Sequence, residues 1–195
     1  MEATTANPIS EFKGWLDDAG RAGVREPTAM ALATSDALGI PNVRMVLLKQ
    51  VDETGFVFYT NLESPKAMEL RATAFAALCF HWQETKRQVR VQGKVEAVSE
   101  SEADAYFATR PRLSQIGAWA SRQSRPMTHA FELEQACAGV ALRYGVGDVP
   151  RPPFWSGFRV VPDRIEFWSE KPFRRHERRL YTRIEGQWRM QLLFP

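Results

Sequence analysis

The stretch "AALCFHWQETKRQVRVQGKVEAV", residues 76–98, decides the fold. Two apolar, β-branched runs flank the polar "QETK" at 83–86, the pattern of an antiparallel hairpin. In the second run Val89, Val91 and Val95 face one way, and Gln88, Arg90, Gln92 and Lys94 face the other. One face is therefore built for a core and the other for polar contacts.

Working outward, the same grammar recurs. Toward the N-terminus, "TAMALAT" (28–34), "VRMVLLKQV" (43–51) and "FVFYT" (56–60) read as strands, separated by the turns "SDALGIPN" and "DETG". Ile9, Phe12, Trp15, Leu16 and Ala19 recur at helical spacing behind Pro8, predicting a helix over 8–22. In "ESPKAMELRA" (63–72), Ser64 is placed to cap a helix whose first residue is Pro65. Toward the C-terminus, Ser99 and Glu102 form a capping-box pair, opening a helix that stops near Arg110 because Pro111 follows. A further helix is expected over 129–145. The Pro-rich linker "VPRPPF" then leads to four short strands, "GFRVV", "RIEFWS", "RRLYTRI" and "WRMQLLF". Short strands joined mostly by tight turns imply a mainly β, antiparallel barrel or sandwich with helices packed outside. The irregular alternation disfavours a doubly wound parallel sheet.

The 195 residues suit one domain, 1–195, with 1–7 expected as a flexible tail. With 44% hydrophobic and 25% charged residues, disorder is excluded. Cys79 and Cys137 are far apart and read as buried thiols of a reducing, cytoplasmic compartment. His81, His129 and His176 show no ligand spacing, so no metal is expected. The start "MEATTANPISEF" lacks a basic segment followed by an apolar run, and "FAALCF" is too short to span a bilayer, so no membrane association is expected. The net charge of +3 fits small anionic ligands as well as nucleic acid.

Hydrolase and triphosphatase signatures are missing. "YGVGDVP" (144–150) holds a G-x-G without the third glycine and follows a helix, so it is a turn. The chain instead carries scattered cations and hydroxyls. The segment "YFATRPRLSQIGAWASRQS" (106–124) puts Tyr106 and Arg110 one helical turn apart, with Ser114 just past Pro111. A guanidinium and two hydroxyls are the donors a phosphate dianion needs, although a surface helix with a solvated arginine would read the same way. Arg44 and Lys49 have odd separation, so a regular strand points them to opposite faces unless a bulge intervenes. In "EFWSEKPFRRHERRLY" (166–181), the spacing Arg174-x-His176-x-Arg178 puts three polar groups on one strand face beside Phe167 and Trp168. Such a cluster suits an anionic planar cofactor, single-stranded nucleic acid or a solvated turn.

Taken in order, "RMVLLK", "FYTNLESPKA", "RQVRVQGK", "YFATRPRLSQIGAWASRQS", "FWSGFRV", "IEFW" and "RRHERRLY" resemble the pyridoxamine 5′-phosphate oxidase family over about residues 8–195. The resemblance implies a homodimeric split β-barrel with FMN at the subunit interface. It implies that Arg44, Met45, Val46, Leu47, Leu48, Lys49, Tyr59, Thr60, Lys66 and Gln88 line the flavin. Gln123, Ser124, Trp168 and Arg178 would close over it from the other subunit. Lys49, Tyr106, Arg110 and Ser114 would hold the substrate phosphate, with Arg174 and His176 as catalytic candidates near the pyridine ring. Substrates would be phosphorylated B6 vitamers and O2. Pro65 stands where many members carry an arginine beside the flavin phosphate, leaving Lys66 to carry more, and Arg175 replaces an apolar residue. Three rival readings remain: a phenazine-type flavin oxidase of the same fold, a non-catalytic FMN or pyridoxal phosphate binder, and a nucleic-acid binder acting through the arginine cluster. The phosphate set Lys49, Tyr106, Arg110 and Ser114 speaks against the first.

Overall fold

The structure is a computed structural model that describes residues 7–195. The expected tail lies outside the described residues except for Asn7, whose side-chain oxygen accepts from the Ile9 N–H at 2.8 Å and caps the first helix. That helix, α1 (Pro8–Arg21), buries Ile9, Phe12, Trp15 and Ala19, the stripe its spacing predicts. Phe12 enters the barrel core edge-on to Phe56 and Phe80, with ring centroids 4.9 and 4.8 Å away.

Nine strands form one antiparallel sheet: β1 (Ala29–Ser35), β2 (Pro41–Leu47), β3 (Gln50–Asp52), β4 (Gly55–Asn61), β5 (Phe75–Trp82), β6 (Arg87–Ala97), β7 (Trp155–Ser169), β8 (Glu177–Ile184) and β9 (Gln187–Leu192). Their order is β2-β1-β5-β6-β7-β4-β3, and β8 and β9 extend from β7. The hairpin of residues 76–98 sits at the centre as β5 and β6, with Val89 and Val91 fully buried.

Two irregularities shape the barrel. The run 43–51 is not one strand. At Leu48 the chain donates its N–H to Thr28 O, on the β1 side, and at Lys49 it donates to Val57 O, on the β4 side. The chain thus changes partner between β2 and β3 and folds the sheet back on itself. The second lies in β7, which the sequence presents as two short strands because Pro162 interrupts it. Pro162 instead sits at a bulge, a position where a missing N–H is tolerated. The register with β6 jumps from Gln92–Arg164 to Gly93–Pro162, leaving Asp163 over. A Cβ on Gly93 would lie 1.9 Å from Val161 O, so only glycine permits this crossing. Before the bulge β7 pairs with β4, and after it with β8.

Of the helices α2 (Pro65–Thr73), α3 (Glu100–Thr109), α4 (Arg112–Ala120) and α5 (Glu132–Tyr144), α2 adds Ala67 and Leu70 to the main core, while Phe107 of α3 and Ile116 of α4 join a second cluster. Ser99 caps α3 as its pattern predicts, accepting from Glu102 N at 3.1 Å. Ser64 stands at the N-cap of α2, but its hydroxyl donates to Asn61 O at 2.7 Å and makes no cap bond. The "VPRPPF" segment is a fixed loop, with Trp119 Nε1 donating to Pro150 O at 2.7 Å. Cys79 and Cys137 are unbridged and only partly buried, less enclosed than expected. No helix among the described residues is long and apolar enough to cross a membrane.

Candidate functional site

A cleft of about 490 Å³ opens where β2, β4, α2, α3 and α4 meet. Its lining includes Met45, Val46, Leu47, Lys49, Tyr59, Thr60, Lys66, Tyr106, Arg110, Ser114 and Gln123, all expected at the site. Asn61, Ser121 and Trp155 join them unannounced, although they sit inside the quoted stretches "FYTNLESPKA", "YFATRPRLSQIGAWASRQS" and "FWSGFRV". Among the described residues the lining holds three cations, Lys49, Lys66 and Arg110, and no carboxylate.

Each cation is placed by its own element. The partner switch after Leu47 turns Lys49 into the cleft. Arg44, five residues earlier, points elsewhere: its guanidinium donates to Leu32 O at 3.2 Å and pairs with Glu69 at 3.1 Å. The two point apart, but the break between β2 and β3, not regular strand alternation, sets the direction of Lys49. Leu48 is buried in the barrel core and does not line the cleft.

Lys66, in the first turn of α2, reaches three neutral oxygens: Gln123 Oε1 at 3.0 Å, Ser64 Oγ at 3.2 Å and Thr60 Oγ1 at 3.3 Å. Burial lowers its pKa, and the Arg44 charge adds to this, while Glu69 pulls the other way. Its three N–H donors meet neutral oxygens and no salt bridge is formed among the described residues, so its charge is left uncompensated by a carboxylate contact. Gln123, expected from the partner subunit, therefore lines the cleft of its own chain. Ser124 lies beside it, at φ +68°, against a neighbouring depression.

Arg110 terminates α3. Its guanidinium lies 4.7 Å above the Trp155 ring, and its Nη1 is buried with no hydrogen-bond partner. Burial lowers its pKa, which Tyr106 partly offsets. The Tyr106 ring stacks on Tyr59 at 4.1 Å, and Tyr59 on Trp155 at 5.2 Å, giving three near-parallel rings. Gly157 makes room for this stack, because a Cβ there would come within 2.8 Å of the Tyr59 ring. Burial, reinforced by Glu102 and Tyr106, pushes the Tyr59 phenol up to about 12, so it stays a neutral donor.

The remaining expected residues gather on another part of the sheet. Gln88, Trp168 and Arg178 are directly opposite one another across β6, β7 and β8, so their side chains share a face. The His176 ring lies 4.8 Å from that of Trp168. Arg178 Nε donates to Glu166 at 2.8 Å, and that bond holds its pKa above the usual arginine value. The expected single strand face for Arg174, His176 and Arg178 is not formed: only Arg178 is on β8, and Arg174 and His176 precede it. Arg174 ends a 3₁₀ turn (Pro172–Arg174), and both it and Phe173 have φ +58°. None of these five residues lines the cleft of its own chain.

The edge strand β2 suggests how the two regions combine. Val43 and Met45 are 65% and 64% exposed, an apolar row on an unpaired edge. Met45 and Leu47 belong to both this row and the cleft.

The antiparallel split barrel thus carries a cleft lined by cations and, among the described residues, by no carboxylate, a chemistry that suits an anion. Comparison with known proteins identifies the family. Residues 16–140 match the family model described as pyridoxamine 5′-phosphate oxidase, and residues 155–195 match the pyridoxine 5′-phosphate oxidase C-terminal dimerisation region. A pyridoxine/pyridoxamine 5′-phosphate oxidase of Brucella canis is 56% identical over 193 residues, covering 98% of this chain and 95% of that one. The crystal structure of PhzG from Burkholderia lata, in complex with tetrahydrophenazine-1-carboxylic acid, is 34% identical with a TM-score of 0.92, covering 97% and 93% of the two chains. An FMN-binding, pyridoxamine 5′-phosphate oxidase-related protein of Nostoc punctiforme shares the fold at 17% identity and TM-score 0.78, covering 98% of this chain and all of that one. The chain belongs to the pyridoxamine 5′-phosphate oxidase family.

Proposed function

We propose that the protein is an FMN-dependent oxidase that converts pyridoxamine 5′-phosphate and pyridoxine 5′-phosphate to pyridoxal 5′-phosphate, with O2 as acceptor and H2O2 as product. The carrying observation is the cleft with, among the described residues, three cations and no carboxylate, in which Arg110 Nη1 is buried without a partner. A desolvated guanidinium nitrogen in that state is satisfied by an anionic oxygen.

The donor set fits two phosphomonoesters. Lys66, with Thr60, Ser64 and Gln123 around it, suits the phosphate of FMN. Lys49, Tyr106, Arg110 and Ser114 suit the phosphate of the substrate. FMN supplies the hydride acceptor and the route by which electrons reach O2. The protein's part is position and charge. The clamp fixes the substrate phosphate, and with it the pyridine ring, a restriction that contributes on the order of several kcal/mol toward the barrier. Arg174 and His176 orient the substrate's reacting end. For the amine, hydrolysis of the oxidised product releases ammonia.

The working unit is a homodimer. Trp168 and Arg178, remote from the cleft of their own chain, cover the flavin in the partner's cleft; Gln88, which the resemblance gave to the flavin lining of its own subunit, shares their row and goes with them, and Arg174 and His176 accompany them. The match to a dimerisation region over 155–195, which holds four of these five residues, supports this assignment.

The likeness to PhzG favours one alternative, oxidation of a tricyclic carboxylic acid. Turnover decides between them. Pyridoxine phosphate should be oxidised with stoichiometric peroxide release, and a reduced phenazine carboxylate should not. The opposite pattern would reject the proposal.

A further inference from the structure

Helix α3 delivers Tyr106 and Arg110 to the cleft from its C-terminal half, yet its own packing is thin: it buries only Ala103 and Phe107. Two arginines outside the cleft lining secure its other half. Arg159, on β7, donates from Nη2 to both carboxylate oxygens of Glu102, at 2.8 and 3.0 Å. Its Nη1 reaches Asp52, the last residue of β3, at 3.5 Å and the Thr54 hydroxyl on the β3–β4 turn. Arg151 donates to Asp104 at 2.6 Å, to Glu100 and to Trp155 O at 2.7 Å. The Arg159–Glu102 pair is partly buried on both sides, at 15% and 25% exposed, and so is better shielded than a surface ion pair, whereas the carboxylates held by Arg151 are exposed.

Glu102 is one turn before Tyr106 and two before Arg110, so these three residues lie along one side of the helix. Removing the Glu102–Arg159 pair leaves a partly buried charge without its partner, and the helix can relieve that by shifting. Such a shift moves Tyr106 off the Tyr59 ring and Arg110 off Trp155.

We propose that Arg159, through Glu102, is a positioning residue that fixes how far α3 projects Tyr106 and Arg110 into the cleft. It touches neither substrate nor cofactor. The inference rests on the phosphate-clamp reading above only for its kinetic consequence.

The test uses the flavin-loaded, full-length protein with Glu102→Gln and Arg159→Gln, and Glu102→Asp as a milder variant that keeps the charge should either fail to fold. Two measurements are made well below each variant's melting temperature. Hydrogen exchange reads position directly, and the amides of residues 105–110 should exchange faster than in wild type while those of β5 and β6 do not. Steady-state kinetics with pyridoxine phosphate should show KM raised roughly tenfold at a kcat within about twofold, and unchanged flavin occupancy. A purely structural role would lower the melting temperature and leave KM and the 105–110 amides alone. That outcome, or an equal loss of kcat and flavin, would overturn the proposal. If the wild type itself does not oxidise pyridoxine phosphate, the functional reading fails, and the exchange measurement still decides the positioning claim.

Discussion

Arg110 is the residue on which the site's chemistry turns. Its guanidinium is stacked on Trp155 and half-withdrawn from water, with one nitrogen unsatisfied. Replacing it removes charge-assisted hydrogen bonds worth about 1.5–3 kcal/mol. Arg110→Ala should therefore raise KM for pyridoxine phosphate roughly 10- to 100-fold while leaving flavin retention intact. Normal substrate affinity in that variant would mean that the clamp is misassigned. Tyr106, Arg110 and Ser114 were legible because the helical repeat and Pro111 place them together locally. Arg44 was not, because what orients it is Glu69, 25 residues away on another element. Gln123 likewise reads as a partner residue until Lys66 and Thr60 are found beside it.

At the scale of elements, the site depends on places where regular structure fails. The β2–β3 break turns Lys49 inward, and the β7 bulge lets one strand serve β4 and β8 in turn. Neither is written in periodicity. "VRMVLLKQV" has no turn residue at Leu48, and Pro162 looks like a terminus until Gly93 is seen across from it. The helix α4 also went unread, since its N-cap is Pro111 with no side-chain cap bond and only Ile116 is buried. The strand and helix patterns with a clear apolar face, α1 and the β5–β6 hairpin, were plain. Gly157 gives a direct test of how elements hold the ring stack. In Gly157→Ala the new methyl meets the Tyr59 ring and, at 2.9 Å, Phe58 O. The expected cost is about 1–3 kcal/mol, read from the denaturant midpoint. Substrate affinity should fall with it, because Tyr59 supports Tyr106. An unchanged midpoint would show that the Tyr59 packing is looser than the stack implies.

On the proposed reading, one chain alone does not complete the site. The cleft holds the cations, the row of Gln88, Trp168 and Arg178 lies elsewhere, and the exposed apolar edge of β2 runs up to the cleft mouth. The split arrangement could not be deduced from composition or spacing, which carry no information about a two-fold axis; it entered through the resemblance. Val43→Glu puts a charge in the middle of that edge without touching the cleft lining. It should shift the protein toward a monomer in sedimentation or size-exclusion measurements, and the monomer should lose flavin. A dimer that persists with full flavin loading would place the interface on another surface. Arg178→Ala, which leaves the edge intact, should loosen the flavin while the dimer remains.

The central claim is that paired anion sites hold a redox-active flavin beside a phosphorylated substrate. The visible absorption spectrum of the purified protein, taken before and after anaerobic addition of pyridoxine phosphate, tests it most directly. The account predicts a yellow protein whose flavin bands bleach on addition and return on admitting air. A colourless protein, or a flavin spectrum that pyridoxine phosphate leaves unchanged, would contradict it.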